Sequence, residues 1–260
     1  MQIRRLGWAG IEVIADDRGL VVDYVRDFPL LTKTVGGGAY AAHSNPAVAA
    51  LVTHLHEDHT DVAAIESAVG PGGTVLRPAP FVGAAAEAEF TEPNEHRLAA
   101  AVLDVRIATE WERVELGPFT VTAVPAVDGL GDPQVNWVIE VGGRRILHGG
   151  DTIFHGSWWR IARRLGPIDM AVLPINGAVV QAPHLRPPSQ VPAVLTPAQA
   201  VRAAVILGAH TVLPIHFGVH QPPIYVEEKD PLAKLVEFAS RESMTVSNPE
   251  PGQVIAVPAR

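Results

Sequence analysis

The sequence predicts an α/β protein with two β-sheets and helices on their outer faces, and three observations carry this. Short apolar strands lead and helices follow in each half of the chain. Gly142-Gly143 separates two apolar runs, 136–141 and 144–148, which is a strong hairpin signal. Polar groups able to bind a metal stand directly after apolar strands at 54–59, 151 and 216, and strand ends along one edge of an α/β sheet are where sites are built.

In chain order, 3–6, 11–14 and 20–23 read as strands, with 7–10 and 16–19 as turns. Residues 24–46 read as irregular, and Gly36–Gly38 marks a loop to which a bare glycine triplet assigns no phosphate role. The apolar run 49–53 is a buried strand, and 61–69 is a helix with Thr60 or Asp61 as cap and Gly70 as its stop. A strand at 74–76, a helix at 81–90, and strands at 102–107, 113–116 and 119–124 follow. A helix is expected over 156–165, a buried strand over 170–174, and a proline-rich loop over 176–195. The next helix has clear ends: Thr196 caps it, Pro197 takes its first position, Gln199 completes a capping box and Gly208 stops it. A strand at 211–215 ends on His216, Asp230-Pro231 starts the last helix, and 254–257 closes as a strand.

With 260 residues of which 47% are hydrophobic, the chain can bury a large core. A net charge of −8 and the lack of a basic run argue against a nucleic-acid backbone as partner. There are no cysteines, so a metal site must use histidine and carboxylate. The first residues lack the apolar core of a signal peptide, and no apolar run approaches a membrane span, so a cytoplasmic protein is expected. The expected partner is a small molecule, with neither nucleic acid nor membrane; a homo-oligomer is left open.

Residues 53–61, Thr-His-Leu-His-Glu-Asp-His-Thr-Asp, are the most informative stretch. His54, His56, Asp58 and His59 lie on a strand-to-helix loop, and packing does not require such a cluster. Side chains two apart in an extended loop point the same way, so His54 and His56 can hold one ion while Asp58 and His59 reach a second. Taken singly, Asp151 would be a turn residue and His216 a core histidine; beside the cluster both become candidates.

His54-x-His56-x-Asp58-His59, Gly150-Asp151-Thr152 and Pro214-Ile-His216-Phe-Gly218 resemble the motifs of the metallo-β-lactamase fold superfamily. Leu6-Gly-Trp-Ala-Gly-Ile-Glu-Val-Ile14 and the Thr196–Val201 helix extend the resemblance to its ascorbate-6-phosphate lactonase-like branch. The resemblance implies a four-layer αββα sandwich of two mixed sheets in a single domain over 1–260. It also implies two divalent ions, zinc in the first instance. His54 and His56 would hold metal 1; Asp58, His59 and His216 would hold metal 2; Asp151 would bridge both. The superfamily's third ligand of metal 1 is a histidine, and here Asp128 stands in its place. A harder, charged oxygen donor makes Mn or Fe admissible beside Zn. Asp132, before Pro133, reads as turn chemistry.

His155, just past Asp151, is a candidate for substrate binding or proton donation, and Asp58 is a second candidate to assist the leaving group. His220 and His184 are candidate pocket residues. The function implied is hydrolysis by a metal-activated hydroxide, of a lactone or other carboxylic ester or amide first and a phosphodiester next. An iron-dependent oxidoreductase on the same scaffold and a non-catalytic module with a degraded site are the alternatives.

Overall fold

The fold is described by a computed structural model covering residues 1–29, 40–84, 87–182 and 185–258. The Gly36–Gly38 triplet and His184 lie outside those residues.

The chain begins with a meander of β1 (Gln2–Arg5), β2 (Ile11–Ala15) and β3 (Arg18–Val22). It then passes to β4 (Ala47–Leu51), α1 (Val62–Val69), β5 (Thr74–Arg77), α2 (Glu92–Ala100) and β6 (Asp104–Ile107). From β3 to β6 the pairing is parallel, as crossover helices demand. The second half runs β7 (Arg113–Leu116), β8 (Phe119–Pro125), β9 (Val135–Val141), β10 (Arg144–His148), α3 (Trp158–Leu165), β11 (Met170–Pro174) and β12 (Val179–Val180). It continues with α4 (Pro197–Leu207), β13 (Thr211–Ile215), β14 (Tyr225–Val226), α5 (Pro231–Arg241), β15 (Thr245–Val246) and β16 (Val254–Ala256). Two seven-stranded mixed sheets result, β16-β1-β2-β3-β4-β5-β6 and β15-β13-β11-β10-β9-β8-β7. β12 and β14 pair separately.

The period-2 alternation of the strands builds the layers. Phe119, Val121 and Ala123 of β8, Trp137 and Ile139 of β9, and Leu213 and Ile215 of β13 face Ile11, Val13, Leu20, Val22 and Leu51 of the first sheet in one buried core. The intervening residues Val138, Leu147, Ala171, Leu173 and Val212 turn outward and pack with Trp158, Ile161, Val201, Ala204 and Leu235 of α3, α4 and α5. Val62, Ile65 and Leu98 of α1 and α2 cover Val21, Ala50, Val52 and Val75 on the far side. The order is helices, sheet, sheet, helices.

Local chemistry sets the connections. Gly142 and Gly143 turn with φ of 56° and 76°, joining β9 to β10 as expected. The Thr196 side chain accepts from the Gln199 amide at 3.3 Å and Gln199 Oε1 accepts from the Thr196 amide at 3.0 Å, closing the capping box of α4. Asp61, not Thr60, caps α1 and accepts from the Ala64 amide.

The expected helix at 81–90 is a correction. Its described residues are turns and irregular backbone, and the helix is α2, which starts after Thr91 with Pro93 in its first turn. Glu92–Ala100 buries only Asn94 and Leu98, so it carries almost no apolar period from which to read a helix. The two-residue strands were equally illegible, and β12 lies inside the expected 176–195 loop.

Candidate metal centre

β8 and β9 are antiparallel, as are β9 and β10, while β10, β11 and β13 run parallel. The C-terminal ends of β8, β10, β11 and β13 therefore share one edge of the second sheet, where Asp128, Asp151, Asn176 and His216 follow. From the first sheet, β3 delivers Asp23 and β4 delivers His54–His59.

Two backbone features bring these ends into contact. Gly150 has φ of 49°, and a Cβ there would lie 2.6 Å from the Thr53 hydroxyl, so only glycine lets the Asp151 turn approach the histidine loop. His216 has φ of 57°, uncommon for a non-glycine residue, and its amide donates to the Trp8 carbonyl at 3.0 Å. Functional sites are where such strain is tolerated.

The donor atoms converge. His59 Nε2 lies 3.0 Å from Asp151 Oδ1 and 3.6 Å from Asp58 Oδ2. His216 Nε2 lies 2.9 Å from Asp151 Oδ2 and 3.3 Å from Asp58 Oδ2. Asp58, His59, Asp151 and His216 each place a ligand atom within 4.8 Å of one another, and so do His54, His56 and Asp151. Asp151 belongs to both groups, the position expected of a bridge.

The partners of the opposite ring nitrogens fix which atom of each histidine is free. Thr53 Oγ1 donates to Asp23 at 2.7 Å, so it accepts from His54 Nδ1 at 3.0 Å and leaves His54 Nε2 bare. His59 Nδ1 donates to Asp23 Oδ2 at 2.8 Å. His56 Nε2 donates to Asp132 Oδ2 at 2.8 Å, which turns Nδ1 into its free donor atom. His216 Nδ1 donates to Asn176 Oδ1 at 3.3 Å. His54 Nε2, His59 Nε2 and Asp151 Oδ1 are buried without a hydrogen bond, although the last two stand 3.0 Å apart. Buried polar atoms rarely go unsatisfied, so these three atoms fit a centre made for bound cations.

The electrostatics agree. Burial opposes charge on His216, yet Asp151 and Asp58 carry it up to about 9. Burial likewise opposes charge on His59, and Asp151, Asp58 and Asp23 hold it well above the ordinary imidazole value. Asp151 and Asp58 stay ionised against burial because His216 and His59 face them. His54, desolvated and beside two other imidazoles, lies well below the ordinary value and is neutral. The carboxylates thus create a field that favours positive charge at their centre, which a divalent ion satisfies. Nitrogen and oxygen donors without sulfur suit Zn, Mn or Fe.

Asp128 lies on the cavity wall, buried, with Oδ1 accepting from the Leu130 and Asp132 amides at 2.8 and 3.2 Å. Burial and the nearby Asp151 raise it to about 6, against the opposing pull of His56. A carboxylate oxygen of Asp128 lies within 4.8 Å of donor atoms of His56 and Asp132, a third convergent group. Asp132 is more than a turn residue, because its carboxylate orients His56.

Three candidates fare differently. His155 is set apart from the cavity: its Nδ1 accepts from the Ser157 amide at 3.1 Å, and its ring stacks on buried Trp158 at 4.5 Å. Burial lowers it to about 4, leaving it uncharged at neutral pH. The 152–157 turn folds it onto α3, which sequence proximity to Asp151 did not reveal. His220 is exposed and also absent from the cavity wall, where the chain leaves the site after Val219. His184 lies outside the described residues.

Sequence reasoning passed over Asp23, Thr53, Trp8 and Asn176. Trp8 Nε1 donates to Asp58 Oδ2 at 3.0 Å, and its ring lies 4.3 Å from that of His216. Asp23 offered the one available signal, an acid directly after an apolar strand. His148 is structural: buried, its Nε2 donates to the Ala9 carbonyl at 2.8 Å and its Nδ1 accepts from the Gly150 amide at 3.3 Å.

Two mixed sheets between helices, with clustered His and Asp at their shared edge, make an αββα sandwich with a candidate metal centre. The family model described as a beta-lactamase superfamily domain matches residues 28–217, and the chain belongs to the metallo-β-lactamase superfamily. It is 26% identical over 238 residues to a protein of Thermococcus onnurineus named a metal-dependent hydrolase, covering 88% of this chain and 90% of that one. The chain spans about half the length, 54%, of other curated relatives that it matches at 27% identity. Among solved structures, Igni18 of Ignicoccus hospitalis, described as a metallo hydrolase, matches with a TM-score of 0.69 at 20% identity over 98% of this chain and 97% of that one. CmlA of Streptomyces venezuelae, described as a diiron β-hydroxylase, matches with a TM-score of 0.71 at 17% identity over 98% of this chain and 53% of that one. The fold thus hosts more than one chemistry. Among the described residues no helix is long and apolar enough to cross a membrane.

Proposed function

We propose that the chain is a metal-dependent hydrolase acting on a lactone or other carboxylic ester or amide. The observation that carries it is the set of four histidines each bonded through one ring nitrogen, with His59 Nε2 and His216 Nε2 facing Asp58 and Asp151 and with His54 and His56 converging on Asp151. By this reading His54, His56 and Asp128 would hold one ion and Asp58, His59 and His216 the other, with Asp151 beside both sets. Bound divalent ions lower the pKa of water towards neutrality and polarise a carbonyl. Asp23, Asp132 and Asn176 hold the imidazoles in their working tautomers. Asp58, kept ionised by His59 and His216 and bonded by the Trp8 indole, carries no proton to give a leaving group. The lactonase-like resemblance supports the ester or lactone class, with phosphodiesters next.

The test is a panel of neutral lactones, carboxylic esters, amides and phosphodiesters offered to protein reconstituted with Zn, Mn or Fe. Turnover of carboxylic substrates that disappears on chelation supports the proposal; no turnover on any member with two ions bound overturns it.

A second reading, iron-dependent oxidation, draws on the oxygen-rich surroundings of His56, where Asp128 replaces a softer imidazole. Iron retained through purification and oxygen consumption with substrate would favour it.

The metal 1 set has its own expected result. Asp128→Ala lowers metal content by about one ion per chain, whereas Asp132→Ala keeps both sites but weakens one by about 10- to 100-fold, the usual cost of losing a partner behind a ligand. Elemental analysis and metal titration check this, and unchanged content in Asp128→Ala would reduce that residue to a turn former.

A further inference from the structure

The walls of the cavity have a chemistry that the metal ligands do not. A space of about 530 Å³ opens over Asp58, Asp151 and His216, within the range of small-molecule sites. Phe28, Phe90, Leu130, Val180, Val194 and Val219 line it. Phe90 reaches the ligand set, its ring 5.2 Å from that of His56. Among the described residues that line the cavity there is no lysine or arginine. The charged groups away from the metal cluster are Glu57 and Glu89, both exposed.

A pendant phosphate or carboxylate is recognised by guanidinium or ammonium groups. Here such a group would lie against valine, leucine and phenylalanine, or beside two carboxylates. It would lose its hydration without gaining a partner, which is costly. An alkyl or aryl group would bury apolar surface against the same walls and gain from it. We infer that the cavity selects substrates whose non-reacting part is neutral and apolar, an acyl chain or aromatic group, and rejects phosphorylated or carboxylate-bearing analogues. This rests on the proposed metal-dependent hydrolysis for where the reacting carbonyl sits. It departs from a sugar-phosphate lactone, the substrate that the branch resemblance would suggest.

The test separates binding from turnover. Metal-loaded protein is titrated calorimetrically with octanohydroxamic acid and with the monohydroxamate of suberic acid, which has the same length but ends in a carboxylate. The alkyl tail is expected to bind at least about tenfold more tightly, as a desolvated unpaired charge dictates. Leu130→Lys and, independently, Val180→Lys place a cation on a wall that provides no ligand. Each is expected to narrow the gap by at least about threefold. Equal or tighter binding of the carboxylate tail, binding of neither probe, or a gap unmoved in both folded variants overturns the inference. Esters are compared in parallel, hexanoyl against adipoyl monoesters of p-nitrophenol. Turnover that favours the adipoyl ester overturns the cavity inference alone. The hydroxamate preference together with no turnover of these esters or of any member of the lactone, ester and amide panel overturns the hydrolase proposal and leaves the cavity chemistry standing.

Discussion

Stripping divalent ions from the purified protein lowers its melting temperature by about 5–10 °C. A ligand bound only to the native state at about a hundred times its dissociation constant adds about 2.7 kcal/mol, and each kcal/mol moves a chain of this size by about 2–4 °C. Loading also has a pH signature. Without metal, the raised value of His216, from 6.5 to about 9, means that its pairing with Asp151 contributes stability that is fully present below 6.5 and fades as pH rises towards 9. His59 is raised by the same carboxylates and behaves alike. A metal requires both Nε2 atoms bare, so its binding releases those protons and strengthens as pH rises through the same window. Loaded and stripped protein therefore diverge in stability between pH 6.5 and 9, the loaded form gaining on the stripped one. Differential scanning calorimetry across that range, with titrations in buffers of different ionisation enthalpy, measures both effects. A chain that takes up no zinc, manganese or iron, or whose melting point ignores chelation at every pH, lacks the centre.

Asp151→Asn is the second large effect. Both Asp151 oxygens face imidazole nitrogens, at 3.0 Å for His59 and 2.9 Å for His216, and the residue belongs to both groups of donors. The substitution keeps size and removes charge, leaving two cations with one carboxylate fewer at close range in a buried site. Turnover is expected to fall by at least about a hundredfold, with metal content reduced and circular dichroism retained. Loss of the ion pairs with His59 and His216 makes the stripped variant less stable than the stripped parent near pH 6. Near-normal turnover in a fully loaded Asp151→Asn protein would return Asp151 to the role of a turn residue.

How much of this was legible without coordinates follows from the range of the forces involved. The capping box at Thr196, the Gly142-Gly143 hairpin and the strand-end positions of His54–His59, Asp151 and His216 depend on neighbours a few residues apart, so the sequence displays them. The helix at 92–100 did not announce itself, because it buries two side chains and its start depends on Pro93 and the local backbone rather than on an apolar stripe.

The sequence by itself determined the two-sheet class with outer helices and the cluster of His and Asp at strand ends, since period-2 strands, crossover helices and clustered histidines are written along the chain. Tertiary structure alone decided which nitrogen of each histidine is free. That choice rests on Asp23, Asp132 and Asn176, which meet their imidazoles across the fold: 36 positions separate Asp23 from His59, 76 separate His56 from Asp132 and 40 separate Asn176 from His216. Thr53 adjoins His54 in the chain, but its hydroxyl is turned by Asp23, 30 positions away. It also decided that His155 serves the packing of Trp158 and that Trp8, at the chain's opening, steadies Asp58. A hydrogen bond needs donor and acceptor within about 3 Å, and closeness of that kind between distant residues is a property of the folded chain.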